Sequence, residues 1–179
     1  MIMLIENVSE NDLAELAELF YTSYPHKLDK NDVKILMEIY LKAAEHFLVA
    51  RDKGKVVGFL FALKNASEFL RVLGRDFFFH YFSPRWPFLR PFHKRLYFRN
   101  VPFGASVVVS TEARKKGVAT GLQKELKQRL LKNGCKEMYF EIAHDNIASQ
   151  KLVKKIYDCG PVNIFPAKID LWRASLGGD

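Results

Sequence analysis

The stretch most suggestive of chemistry is SVVVSTEARKKGVATGLQ, residues 106–123. A β-branched run, Val107-Val108-Val109, gives way to the polar segment TEARKKG. From Val118 the apolar residues Ala119, Leu122, Leu126 and Leu130 then recur every three or four positions, as on one face of a helix. Arg114, Gly117 and Ala119 are spaced so that a tight loop leads directly into a helix N-terminus. The first N–H groups of a helix lack internal partners and its dipole favours negative charge, so phosphate oxygens fit naturally there, and Arg114, Lys115 and Lys116 add positive charge at the same place. Gly117 and Ala119 keep the backbone approachable, where a larger side chain would stand between it and a ligand. Neither GxxxxGK[ST] nor GxGxxG occurs, so this is not a nucleotide-binding loop of either common kind. A basic turn that merely caps a helix needs the same residues, and RKKG alone does not separate the two.

Other reactive side chains are scattered. His26, His80, His93 and His144 have the right intrinsic pKa for proton transfer, but none sits in a pattern that names it as a base. Cys135 and Cys159 are too few for a disulfide framework and have no paired His, so both read as small buried residues. No CxxC or HExxH spacing occurs, and no metal is expected. The opening MIMLIENVSE lacks the positive and long apolar regions of a signal peptide, and the apolar run Val56 to Leu63 is far short of the roughly 20 residues that span a bilayer. A reduced, cytoplasmic setting is expected.

The rest of the chain supplies elements to position the loop. Residues 2–7 read as a strand. Ser9 with Asp12 forms a capping box ahead of Leu13, Leu16, Leu19 and Phe20 at helical spacing. After the loop YTSYPHKLD, Asn31 or Asp32 opens a second helix whose Val33, Leu36, Met37, Tyr40 and Ala43 face inward. HFLVAR and KVVGFLFAL flank DKGK as a hairpin, SVVVS is a buried central strand, and Asn133-Gly134 ends the helix that starts at Val118. EMYFEIA is a strand. Asn146 caps a helix through Ile147, Leu152, Val153 and Ile156 that stops near Gly160-Pro161, and VNIF and KIDLWRA close the chain as a strand pair. The order β-α-α-β-β-β-α-β-α-β-β gives a mixed α/β single domain over residues 1–179.

Taken together, Val107 to Val109, the loop Arg114 to Ala119, the helix through Leu130 and YFEIAHDN with Asn146 and Ser149 resemble the GNAT superfamily of acyl-CoA-dependent N-acyltransferases. The resemblance spans about residues 106–160, and the elements before residue 64 suit the same fold. It implies a central, mostly antiparallel twisted sheet with splayed central strands, flanked by helices. It also implies acetyl-CoA as acyl donor: Val107, Val108 and Val109 would face the pantetheine arm, Arg114 to Thr120 the pyrophosphate, and Asn146 the region near the thiol, with Ser149 one turn on. In the family an amine attacks the thioester directly, and a Tyr seven residues after the Asn commonly protonates the departing thiolate. Here that position is Val153, which has no proton to give. Tyr157, four residues later, is the substitute candidate for the catalytic role, set against a plain packing role at the helix end. Tyr24 and His26 lie in the loop that usually lines the acceptor site. The departure at Val153 keeps a second reading open, a degenerate relative that binds CoA as a sensor or interaction module.

The net charge of +8 invites an anionic ligand, and its position narrows which. Eight Lys or Arg fall between Arg114 and Lys136, against Glu125 as the one acid. A second concentration, RDFFFHYFSPRWPFLRPFHKRLYFR (75–99), mixes Phe, Tyr and Trp with Arg and Lys, and Pro84, Pro87 and Pro91 break any long helix. Lying between KVVGFLFAL and SVVVS, it reads as an insertion at about 65–100 beside the acyl end of the site. Its aromatics suit a lid or acceptor wall, and its arginines an acidic or phosphorylated amine on a small molecule or peptide. Peripheral membrane contact is a lesser alternative, nothing firm points to nucleic acid, and homodimerisation stays open.

Overall fold

The unbroken apolar run of VVGFLFAL has a direct structural cause: both faces of the strand it forms are covered. The computed structural model describes residues 3–23, 29–65, 101–163 and 169–177. Strands β1 (Met3–Asn7), β2 (Ala44–Asp52), β3 (Lys55–Leu63), β4 (Phe103–Val109), β5 (Glu137–Ala143), β6 (Asp158–Asn163) and β7 (Ile169–Ser175) form one sheet in the order β1-β2-β3-β4-β5-β7-β6. Helices α1 (Leu13–Ser23) and α2 (Lys30–Ala43) lie on one face. Helices α3 (Val118–Lys132) and α4 (Ile147–Ile156) lie on the other.

Alternation sorts the side chains between two cores. Phe47, Val49, Phe59, Phe61 and Leu63 point to Leu16, Leu36, Met37 and Tyr40 under α1 and α2. Leu48, Ala50, Leu60 and Ala62 point to Val118, Leu122, Leu126 and Leu130 of α3. The first core is aromatic: the Phe47 ring meets those of Phe59 and Phe61 at 5.9 Å, and Tyr40 stacks on Phe61 at 3.8 Å. Gly58 lets the sheet meet the start of α3, because a Cβ there would come within 2.9 Å of both the Val108 carbonyl and the Val118 side chain.

All but one of the strand pairings are antiparallel; the exception is β4 with β5. That parallel ladder has only two residue pairs, Phe103 with Tyr139 and Gly104 with Phe140. Beyond it β4 stays on β3 and β5 stays on β7, so the two strands separate towards their carboxyl ends. The expected splayed, mostly antiparallel sheet is thus present.

Three local expectations shift. Helix α2 begins at Lys30, capped by Asp29, whose carboxylate accepts from the Asp32 N–H at 2.8 Å; Asn31 and Asp32 lie inside the helix. Helix α4 ends at Ile156, well before Gly160-Pro161, and those two residues belong to β6, an edge strand where a proline costs no ladder bond that matters. Strand β4 starts three residues before SVVVS. The aromatic-basic segment from residue 66 to 100, with His80 and His93, lies outside the described residues, as do Tyr24 and His26. No helix among the described residues is long and apolar enough to cross a membrane.

Candidate functional site

Strand β4 delivers the chain to the loop Arg114 to Gly117. The Ser110 N–H donates to the Val57 carbonyl at 2.9 Å, and Val108 is in register with Phe59. By the two-residue period of an antiparallel ladder, the backbone groups of Val108 face β3, while those of Val107 and Val109 face the gap that β5 vacates. The side chains divide accordingly. Val108 is buried under α1 and α2, whereas Val107 and Val109 pack towards α3. Of the three valines, Val107 and Val109 therefore present backbone to the gap, and Val108 anchors the strand.

A 3₁₀ turn at Thr111–Ala113 follows, pinned by the buried Ala113, and Arg114, Lys115, Lys116 and Gly117 then cross the surface. The Arg114 Nε–H approaches the Val109 carbonyl at 3.4 Å, holding the guanidinium over the strand end. Lys115 (φ 62°) and Gly117 (φ 85°) both adopt left-handed backbone, a turn that swings the chain into α3. A Cβ built on Gly117 would meet nothing within 4 Å, so the space beside it is open. Inside α3 the Gly121 N–H bonds to the Gly117 carbonyl at 2.9 Å; the N–H groups of Val118, Ala119 and Thr120 precede it in the turn that has no carbonyl one turn back. The first turn of α3 holds no acidic residue. N–H groups with no helical partner among the described residues, three exposed cations and open space together fit an anion.

Asn146 stands at the exit of β5 and caps α4, its Oδ1 accepting from the Ser149 N–H at 3.1 Å. Its Nδ2 has no partner among the described residues and stays able to donate, so the capping and ligand-contacting readings use different atoms. The Gln150 Nε2 group donates to the His144 carbonyl at 2.9 Å, tying the start of α4 to the end of β5.

Tyr157 does not extend the face of α4. It is the C-cap residue, in extended conformation, and only 3% exposed. Its hydroxyl lies 2.7 Å from Gln123 Oε1 and 3.0 Å from the Gln123 carbonyl, both as acceptors. Burial, with a smaller contribution from Cys159, pushes its pKa well above the usual phenolic value. Val153, at the position where the family commonly has Tyr, is buried against the α3 core, and its carbonyl accepts the Tyr157 N–H at 2.8 Å. The Gln123 partnership was invisible from spacing, since the two residues are 34 apart in sequence.

The remaining candidates sit elsewhere. Burial raises the pKa of the Cys135 and Cys159 thiols, the opposite of what a nucleophile requires. His46, which no sequence pattern singled out, is buried on β2 with Nε2 unpartnered among the described residues, and burial lowers its pKa. A cavity of about 610 Å³ is bordered by Glu45, Lys64, Val101, Cys135 and Lys136, at the carboxyl end of α3 rather than at the loop end. Among the described residues no three His, Cys, Asp or Glu side chains are grouped to hold a metal.

Comparison with known proteins agrees with this architecture. A Pyrococcus horikoshii OT3 protein superposes with a TM-score of 0.69 at 17% identity, covering 97% of this chain and 98% of its own. The ribosomal-protein-S18-alanine N-acetyltransferase of Escherichia coli gives 0.66 at 10% identity, covering 99% and 96%. The Salmonella typhimurium protein yncA, solved with its cofactor acetyl-CoA, gives 0.63 at 16%, covering 100% and 96%. At these identities the likeness is one of fold. Curated proteins give no sequence match. The sequence profile of the acetyltransferase (GNAT) family matches residues 12–157, from the buried Asp12 through β4, the loop before α3 and α4 to Tyr157. The chain belongs to the GNAT acetyltransferase family.

Proposed function

We propose that this chain is an N-acetyltransferase that moves an acetyl group from acetyl-CoA to a primary amine. One observation carries the reading: the β4–β5 ladder stops after two pairs, and the strand edge so freed runs into the left-handed turn at Gly117 and the amino end of α3. On this reading the N–H groups of Gly117 to Thr120, with Arg114, Lys115 and Lys116 around them, receive the pyrophosphate. The backbone of Val107 and Val109 faces the pantetheine arm, with Val108 holding the strand on β3. Asn146 Nδ2 reaches towards the thiol end and Ser149 lines the same helix turn.

Acetyl-CoA supplies an activated acyl group: the amine nitrogen bonds to the thioester carbonyl carbon, the C–S bond breaks, the sulfur leaves with the electron pair, and the nitrogen gives up one proton to solvent. The protein's own work is to orient the thioester along the β4 edge, offer N–H groups to its carbonyl oxygen and shield the gap from water. Val153 cannot protonate the sulfur, and the Tyr157 hydroxyl already donates to Gln123. A thiol of pKa about 8.5 leaves tolerably as thiolate, with solvent as the final proton source. The acceptor is proposed to be a small-molecule or peptide amine, the arginines between 85 and 99 favouring an acidic or phosphorylated one.

Titration calorimetry tests the reading. Acetyl-CoA should bind in the micromolar range, and Gly117→Glu should abolish binding; a wild-type protein that binds no acyl-CoA would remove it. A second reading, CoA binding without turnover, is favoured by Val153 together with the engaged Tyr157 hydroxyl. CoA release with any amine of a broad panel excludes it.

A further inference from the structure

The sheet is two half-sheets. Strands β1 to β4 form one, β5, β7 and β6 the other, and two residue pairs join them. The helices divide the same way. Helix α3 packs across β1 to β4, whereas α4 belongs to the second half, fixed to the exit of β5 by Gln150 and continuing directly into β6. A group that bridges α3 and the end of α4 therefore bridges the two halves, and the Tyr157 ring does so 5.9 Å from that of Phe140, where β5 still pairs with β4.

Two such polar bridges exist among the described residues, and they are adjacent. The Tyr157 hydroxyl meets Gln123 at 2.7 and 3.0 Å, and the Lys127 ammonium donates to the Ile156 carbonyl at 3.1 Å. Lys127 also lies 5.7 Å from the Tyr157 ring centroid, close enough for a cation–π contact. Gln123 is buried, and polar groups withdrawn from water hold their partners firmly because leaving them unpaired is costly. Gln123 is also five residues after Val118, about 7.5 Å along α3 from the N–H groups of the anion loop. On the other side, α4 is a ten-residue rod with Tyr157 at one end and Asn146 at the other. Fixing one end of that rod to α3, with Gln150 fixing the other to β5, sets where Asn146 stands relative to Gly117.

We propose that Tyr157 and Gln123 are positioning residues: a buried latch that fixes the width of the gap between β4 and β5, and with it the distance from the phosphate loop to Asn146. The inference rests on the acetyl-CoA reading above. It gives Tyr157 a part in the reaction that needs no proton transfer, and it assigns Gln123, which no sequence pattern marked.

The test compares Tyr157→Phe and Gln123→Met, both nearly volume-conserving, in the full chain. Wild-type binding of acetyl-CoA is measured first; its absence ends the acetyltransferase reading and the latch with it. With binding established, the latch predicts that each variant raises the Kd and KM for acetyl-CoA about fivefold or more while kcat stays within about threefold. It also predicts that the double variant is no worse than Tyr157→Phe alone, because that change already removes the side-chain contact that Gln123→Met removes, whereas Gln123→Met leaves the backbone carbonyl of residue 123 as an acceptor. A kcat fall of more than about tenfold in Tyr157→Phe, with Kd unchanged and Gln123→Met normal, would identify a proton donor and overturn the latch. Lowered melting temperatures with Kd and kcat both within about twofold of wild type would reduce the pair to packing and overturn it equally. Should Tyr157→Phe fail to fold, Gln123→Met, which keeps the Tyr157 ring, carries the test alone.

Discussion

The two helical layers cover the same sheet with opposite electrostatics. Helices α1 and α2 carry three lysines against four carboxylates, while α3 and α4 carry seven basic residues against Glu125 alone. The first layer nearly balances its charges and pairs some of them locally. Lys30 pairs with Glu18 at 2.9 Å, Glu15 accepts the Val56 N–H at 3.1 Å, and Arg51 joins Glu6 and the buried Asp12. In the second layer Arg129 pairs with Glu125, but Lys124, Lys132, Lys151 and Lys155 are exposed without an acidic partner among the described residues. One layer is built as a support; the other keeps uncompensated positive charge on the side where the loop and the amino end of α3 meet solvent. Sheet and core place the gap, and on the acetyl-CoA reading this asymmetry favours a negatively charged ligand.

The sharpest way to break the contrast is through two glycines with the same backbone. Gly54, in the β2–β3 hairpin, and Gly117, before α3, have φ of 82° and 85°, with nothing within 4 Å of a Cβ at either. Gly117→Glu should weaken acetyl-CoA binding beyond detection by calorimetry, whereas Gly54→Glu should cost roughly 1 kcal/mol of stability and leave Kd unchanged. Equal effects at both sites would show that strain, not anion contact, sets the result.

Next in size is charge. Replacing Arg114, Lys115 and Lys116 together by Ala should raise the Kd for acetyl-CoA about thirtyfold at low salt and flatten its dependence on ionic strength, since screening acts on the charges removed. Replacing Lys30, Lys34 and Lys42 in the opposite layer should change neither the Kd nor its salt slope.

A third measurement addresses the support layer. Burial alone would raise the Asp12 pKa, but hydrogen bonds from the Ser9 backbone and side chain and the Arg51 guanidinium outweigh it and leave it lowered. The folded state thus favours the ionised form. The resulting stability is complete above the unfolded carboxylate pKa near 4 and drains away as pH falls through the lower folded value. Asp12→Ala should cost about 2 kcal/mol at pH 7, a melting shift of roughly 4–8 °C, and the gap to wild type should narrow below about pH 4. The smallest effect belongs to the exposed Lys30–Glu18 pair, where Lys30→Ala should leave the melting temperature unchanged within error.

These contrasts follow how far each feature could be read along the chain. Local patterns carried well: VVGFLFAL became a strand covered on both faces, and the three- and four-residue spacing from Val118 became α3. Caps were ambiguous because Asp29, Asn31 and Asp32 are all competent, and only the contact between the Asp29 carboxylate and the Asp32 N–H decides between them. Gly160-Pro161 looked like a break and became β6, because an edge strand tolerates a residue without an N–H. The turn that leads into α3 was legible since its residues are contiguous, from Arg114 to Thr120. Which valines of β4 turn their backbone to the gap depends on the register with β3, and what Tyr157 bonds depends on how α3 meets α4. Both are facts about pairs of distant segments, which periodicity within one segment does not encode.

The two-pair ladder also has a mechanical meaning. Along most of the β4–β5 boundary the molecule forgoes the cross-strand bonding that makes a sheet resist shear. A ligand laid along that boundary would act as the missing strand, stitching backbone to backbone, and its stabilisation should grow with the logarithm of its concentration above Kd. Amide protons of β5 and β7 would then exchange more slowly in the liganded protein than those of β1 and β2, which gain no new neighbour. In this molecule the seam that opens the site would also be the line along which it comes apart.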